Sequence, residues 1–188
     1  MPKHRAIPAA LAAAALLLAA PAAWAAKFTV TSPGMKAGAM MPESTVFKGF
    51  GCSGGNTSPA LEWSGAPAGT KSFAVTAYDP DAPTGSGWWH WTVVNLPPGT
   101  TSLPAGAGSA GGTLPAGAVQ GRTDFGAPGY GGPCPPPGKP HHYVFTVWAL
   151  KTPSLPVDAN ASGALVGFML HANSLAHTSV TFLYGREK

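Results

Sequence analysis

Proline and glycine interrupt this chain so often that long helices are excluded from most of it. Its 188 residues include 21 prolines and 25 glycines. Proline fixes φ and removes a backbone donor, and glycine weakens any helix or strand interior. The uninterrupted segments are short, and the β-branched and aromatic ones read as strands. Residues 71–79 (KSFAVTAYD) alternate, with Phe73, Val75 and Ala77 on one face and Ser72, Thr76 and Tyr78 on the other. Residues 88–96 (WWHWTVVNL) and 142–150 (HYVFTVWAL) read as core strands, and 28–31, 60–63 and 179–184 as shorter ones.

One segment departs from this pattern. In residues 161–176, Leu165, Phe168, Met169, Ala172 and Leu175 recur at helical spacing, with Asn160 as the expected N-cap. Residues 103–121 are almost all small residues and proline, and are read as a long loop laid over the domain. The expected fold is all-β in the main: one antiparallel β-sandwich with a helix near the C-terminus.

The N-terminus reads as a secretory signal. Lys3, His4 and Arg5 precede an apolar run, LAAAALLLAA, and Ala23-Trp24-Ala25 supplies the small residues of a cleavage site after Ala25. Residues 1–25 are therefore read as a signal peptide and 26–188 as the domain, with a periplasmic or secreted destination. No later segment has the roughly 18 apolar residues a membrane span needs, so no integral membrane segment is expected after cleavage. Losing Lys3 and Arg5 takes the net charge from +4 to +2. The remaining basic residues are scattered singly, which argues against a nucleic-acid partner. Cys52 and Cys134 are expected to pair in an oxidising compartment, two buried free thiols being the alternative.

The stretch 78–97 (YDPDAPTGSGWWHWTVVNLP) concentrates acid, imidazole and indole in a chain that is only 10% charged. Strand parity puts His90 on a face with Trp88, Thr92 and Val94, Asp79 with Phe73 and Val75, and His141 and Tyr143 with Phe145 and Val147. Each polar residue thus ends a face that otherwise reads as core, where it must be bonded or line a cavity. DPDAP is read as a rigid turn, holding Asp79 and Asp81 either for a ligand or for its own backbone. The stiff loop at 128–140 leads into His141, and its glycine amides suit an anion, a disulfide-stapled surface loop being the alternative. Enzyme and metal signatures fail. Gly51, Ser53 and Gly55 fit a nucleophile elbow, but no helix pattern follows. The calcium-loop spacing after Asp79 breaks at Pro83 and His90. No metal site and no cofactor is expected.

DPDAP, WWHWTVVNLP and GYGGPCPPPGKPHHYVFTVWAL, in that order, resemble the phosphatidylethanolamine-binding protein family. FGCSGGNTSPALEWSG and GFMLHANSLAHTSVTFLYGR resemble its bacterial Raf-kinase-inhibitor-like branch, the YbhB/YbcL type. The resemblance implies a β-sandwich with a small pocket for phosphate, acetate or phosphorylated head groups. By motif it implies pocket residues Asp79, Asp81, Trp88, His90, Gly132, Pro133, His141 and Tyr143. Trp89 stands where animal relatives commonly carry another histidine. It also implies strained or cis peptides after DPDAP, so Ala82–Pro83 is expected to be cis, with Ser86–Gly87 a lesser candidate. The expected function is an exported, non-catalytic binding protein for a small anion. The alternatives are an interaction module with a vestigial pocket, and a hydrolase using Asp79, Asp81, His90 and His141.

Overall fold

The computed structural model of the protein describes residues 26–187, so the expected signal peptide lies outside the described residues. Among the described residues, ten strands, one α-helix and a short 3-10 turn (Glu43–Thr45) follow the chain: β1 (Thr29–Thr31), β2 (Lys48–Gly49), β3 (Cys52–Ser53), β4 (Leu61–Ser64), β5 (Ser72–Asp79), β6 (Trp88–Leu96), β7 (Ser102–Leu103), β8 (Val119–Gln120), β9 (His141–Leu150), α1 (Gly163–Asn173) and β10 (Ser174–Tyr184). They form a five-stranded sheet in the order β10-β9-β5-β6-β8, a three-stranded sheet β1-β4-β7 and a hairpin β2-β3. All these pairings are antiparallel.

The large sheet is buried on both faces. Phe73, Val75 and Ala77 of β5 and Tyr143, Phe145 and Val147 of β9 meet Val30, Leu61, Trp63 and Leu103 of the small sheet. The opposite face carries Ala74, Val94, Trp148 and Leu150, covered by Val166 and Leu170 of α1. Each fully buried side chain of this size contributes roughly 1.5–3 kcal/mol relative to exposure. This double burial explains why β5 is buried at every residue except Tyr78.

Several local expectations are corrected. The helix is capped by Ser162, whose side chain accepts from the Leu165 amide, and not by Asn160, which lies two residues upstream in the turn where its backbone amide donates to Asp158 Oδ1. Leu165 and Phe168 face outward, and Leu175 belongs to β10. The buried face instead uses Gly163 and Gly167, since Trp89 lies against them. A Cβ on Gly163 would stand 2.1 Å from the indole Cγ. The edge strand of the large sheet, β10, begins at Ser174, immediately after the helix and well before residue 179. The loop over 103–121 also contributes β8 to the large sheet.

No cis peptide occurs among the described residues, so Ala82–Pro83 and Ser86–Gly87 are both trans. The reversal is absorbed elsewhere in the turn. Gly85 and Gly87 take φ of 80° and 67°, and the Tyr78 hydroxyl and Thr84 side chain donate to the Ser86 and Gly87 carbonyls.

Candidate functional site

Strand parity places most of the site, and one bulge re-aims its central residue. Ala77 lies opposite Trp91 and Tyr78 opposite Trp89, which leaves His90 with no partner on β5. A bulge of this kind bends the strand and shifts the alternation. His90 therefore joins Trp91 on the sandwich-core side, while Val94 packs toward the helix. The expected grouping of His90 with Thr92 and Val94 is wrong for this reason. Trp88 and His90 do fall together, and Trp89 points the other way, onto α1.

Trp88 and His90 meet Asp79, His141 and Tyr143 around one cavity of about 220 Å³. Asp79, only 2% exposed, is held by three bonds. Its Oδ1 accepts from the amides of Asp81 (2.8 Å) and Ala82 (3.1 Å), and its Oδ2 accepts from His141 Nδ1 (2.7 Å). DPDAP thus closes on its own first carboxylate, as an Asx-type turn does. The second carboxylate oxygen remains to orient an imidazole.

His90 is buried at 4% exposure, and its Nδ1 lies 2.7 Å from the Gly131 carbonyl oxygen. A carbonyl can only accept, so Nδ1 carries the proton and Nε2 is the free ring position. Phe125 and Tyr143 meet the ring edge-to-face at 5.4 and 5.1 Å. Burial holds the His90 pKa below its ordinary value, against partial support from the Gly131 carbonyl and the Asp79 carboxylate. Burial likewise pushes the Tyr143 phenol upward, with the Asp79 charge adding to the shift, so it stays an O–H donor. Tyr143 Oη and Trp88 Nε1 are buried without a hydrogen-bond partner.

Three expected site residues do not line this cavity. Asp81 turns outward, where its Oδ2 accepts from the His142 amide and Nδ1, both at 2.7 Å. That hydrogen bond from the His142 side chain holds the Asp81 carboxyl below its usual range. Gly132 is small because the backbone of another segment passes it, with Thr45 O 2.0 Å from where a Cβ would stand. Its amide donates to Asn56 Oδ1, the Gly131 amide to the His90 carbonyl, and the Pro133 carbonyl accepts from the Phe47 amide. The free loop amides expected there are therefore occupied.

Phe50, Thr84, Phe125, Cys134, Pro135 and Pro136 line the cavity without having been singled out as pocket residues. Phe125 is placed by a turn clamped to β6, where the Trp89 amide donates to Asp124 Oδ2 at 2.7 Å and the Asp124 amide to the Trp89 carbonyl. Cys134 is bonded to Cys52, joining the β2-β3 hairpin to the proline loop. Its pairing with Cys52 was legible from sequence, and its place in the cavity wall was not.

Comparison with known proteins decides the family. The family model described as phosphatidylethanolamine-binding protein matches residues 31–185. The chain belongs to the phosphatidylethanolamine-binding protein family. Within that family it is 66% identical to the UPF0098 protein YbcL of Escherichia coli (strain K12) over 164 residues, covering 86% of this chain and 90% of that one. The UPF0098 protein YbhB of the same organism is 55% identical over 150 residues, covering 80% and 95%. The crystal structure of E. coli YbcL matches with a TM-score of 0.84 at 65% identity, covering 86% of this chain and all of that one. A homologue from Chlamydia trachomatis, CT736, matches with a TM-score of 0.72 at 28% identity, covering 85% and 98%.

Two expected outcomes arise from this geometry. The unfolded chain binds a proton at His90 near pH 6.5, and the folded chain only at lower pH. The unfolded state therefore binds more protons below pH 6.5, and stability rises with pH up to that value and is level above it. Lowering the pH from 7 to 5.5 is therefore expected to remove stability through this group. Urea unfolding of His90→Gln should show less acid sensitivity than the wild type, and equal sensitivity would contradict the reading. Asp81→Asn, at an exposed pair, should cost less than about 1 kcal/mol. It should also leave ligand affinity unchanged in a calorimetric titration.

Proposed function

We propose that the protein is an exported, non-catalytic binding protein for a small anion of the phosphate class. The observation that carries this reading is the balance of groups around the cavity. Asp79 is the carboxylate of the lining, and its oxygens are already taken by two backbone amides and His141. Tyr143 Oη and Trp88 Nε1 are buried donors with no partner, and the two imidazoles add donors when protonated. A buried donor without an acceptor costs about 1–3 kcal/mol, which an anion's oxygens would offset. Export is supported by the N-terminal signal pattern and fits the Cys52–Cys134 disulfide. Among the described residues no helix is long and apolar enough to cross a membrane.

A hydrolase remains the second reading, because an Asp79–His141 pair at 2.7 Å is how a general base is oriented. The hydroxyl and thiol side chains in the lining do not favour it. Thr84 donates to the Gly87 carbonyl, Cys134 is in the disulfide, and the Tyr143 phenol is held protonated. Titration of phosphate into the mature protein, alongside an assay for release of p-nitrophenol from its phosphate ester, separates the two. Saturable binding without turnover is expected. Turnover that disappears in His141→Ala would instead establish the hydrolase.

A further inference from the structure

The turn between β2 and β3 carries a residue that its backbone disfavours. Gly49 pairs with Cys52, so Phe50 and Gly51 form a two-residue hairpin loop. Both have positive φ, 53° and 81°. A turn with positive φ at both central residues takes Asn-Gly, Asp-Gly or Gly-Gly, and a bulky aromatic at its first position is an outlier. Burial does not compensate, since Phe50 is 69% exposed. Its ring reaches Phe47 at 5.7 Å and Phe125 at 5.6 Å, and those two stack on each other at 4.0 Å. Phe50 and Phe125 also line the cavity that holds Asp79, His90 and His141. The disulfide two residues beyond Phe50 fixes this hairpin to the opposite wall at Cys134. Strain of this kind points to function where the surrounding structure fixes it.

We propose that Phe50 is a ligand-contacting specificity residue, and that the site prefers an anion carrying an aromatic ring, such as an aryl phosphate monoester. This rests on the anion-binding reading above. The anionic group sits at the His90, His141 and Tyr143 end of the cavity, and the attached ring packs against the cavity-facing sides of Phe50 and Phe125, which are in contact with each other at its mouth. Offset or edge-to-face contacts supply the preference for an arene over a small alkyl group. The cavity volume of about 220 Å³ suits one ring with its head group and not a pair of acyl chains.

The test is calorimetry with phenyl phosphate and methyl phosphate, which share a head group and differ in the ring. Wild-type protein is expected to bind phenyl phosphate on the order of tenfold more tightly. In Phe50→Asn, which restores the residue this turn favours, the ratio should fall to within about twofold. The same variant should melt at the wild-type temperature or above, which shows that the loss is not unfolding. Equal affinity for the two esters in the wild type, with both binding, overturns the proposal and leaves anion binding standing. Binding of neither ester defeats the anion-binding reading itself. A ratio unchanged in Phe50→Asn also overturns the proposal.

Discussion

Replacing Cys52 and Cys134 together by serine is expected to lower the unfolding free energy by about 4 kcal/mol. The bridge closes a loop with a sequence separation of 82, and in the chain-entropy model a loop that long strongly restricts the unfolded ensemble. The folded state also depends on the link. The β2-β3 hairpin has two paired residues on each strand, too short a ribbon to hold its place unaided. Its other ties to the proline loop include the Phe47 amide to the Pro133 carbonyl and the Arg186 guanidinium, which spans Gly51 and Pro135 at 3.5 Å. Urea unfolding of the double variant against the oxidised wild type measures the loss. A difference below about 1 kcal/mol would contradict the structural role given to the bridge.

Asp79→Asn is expected to weaken phosphate binding about ten- to a hundredfold, or roughly 1.5–3 kcal/mol, while the protein stays folded. The substituted amide keeps one oxygen to accept from the Asp81 and Ala82 amides, which hold the turn. It cannot keep the charge that accepts from His141 Nδ1 at 2.7 Å. With an amide N–H in that position, His141 must change tautomer or rotate, and its ring loses the acceptor that orients it. Affinity that rises in Asp79→Asn would mean that the carboxylate only repels the anion, and the orienting role would be lost.

The strands that carry the site were legible because their chemistry is local. β5, β6 and β9 are runs of β-branched and aromatic residues between proline and glycine, and β6 begins and ends where expected. The convergence of Asp79, Trp88, His90, His141 and Tyr143 follows from strand ends lying side by side. What the sequence hides is the bulge at His90, because a shift of register depends on cross-strand contacts that one strand does not record. The helix was found, but its buried side was misread. Leu165 and Phe168 look like core by hydropathy, whereas Gly163 and Gly167 are the contact surface because Trp89 from another strand fills the space beside them. Asp81 illustrates a different limit. Its motif matches the pocket pattern, yet the adjacent His142 supplies both an amide and an imidazole that draw it outward. For Phe50 a signal was present, an aromatic residue between Gly49 and Gly51, but it acquires meaning only once the positive φ of the turn is seen.

The central claim is that this cavity binds an anion through protonatable donors, with His90 at its centre. It is tested most directly by calorimetric titration of phosphate into wild-type protein and His90→Ala at pH 6 and pH 8. An anion that stabilises the imidazolium raises its pKa in the complex, so the wild type should bind more tightly at pH 6 than at pH 8. His90→Ala should lose roughly 1.5–3 kcal/mol of binding at pH 6, with a smaller loss at pH 8. Phosphate affinity that is the same in His90→Ala as in the wild type at both pH values would contradict the account.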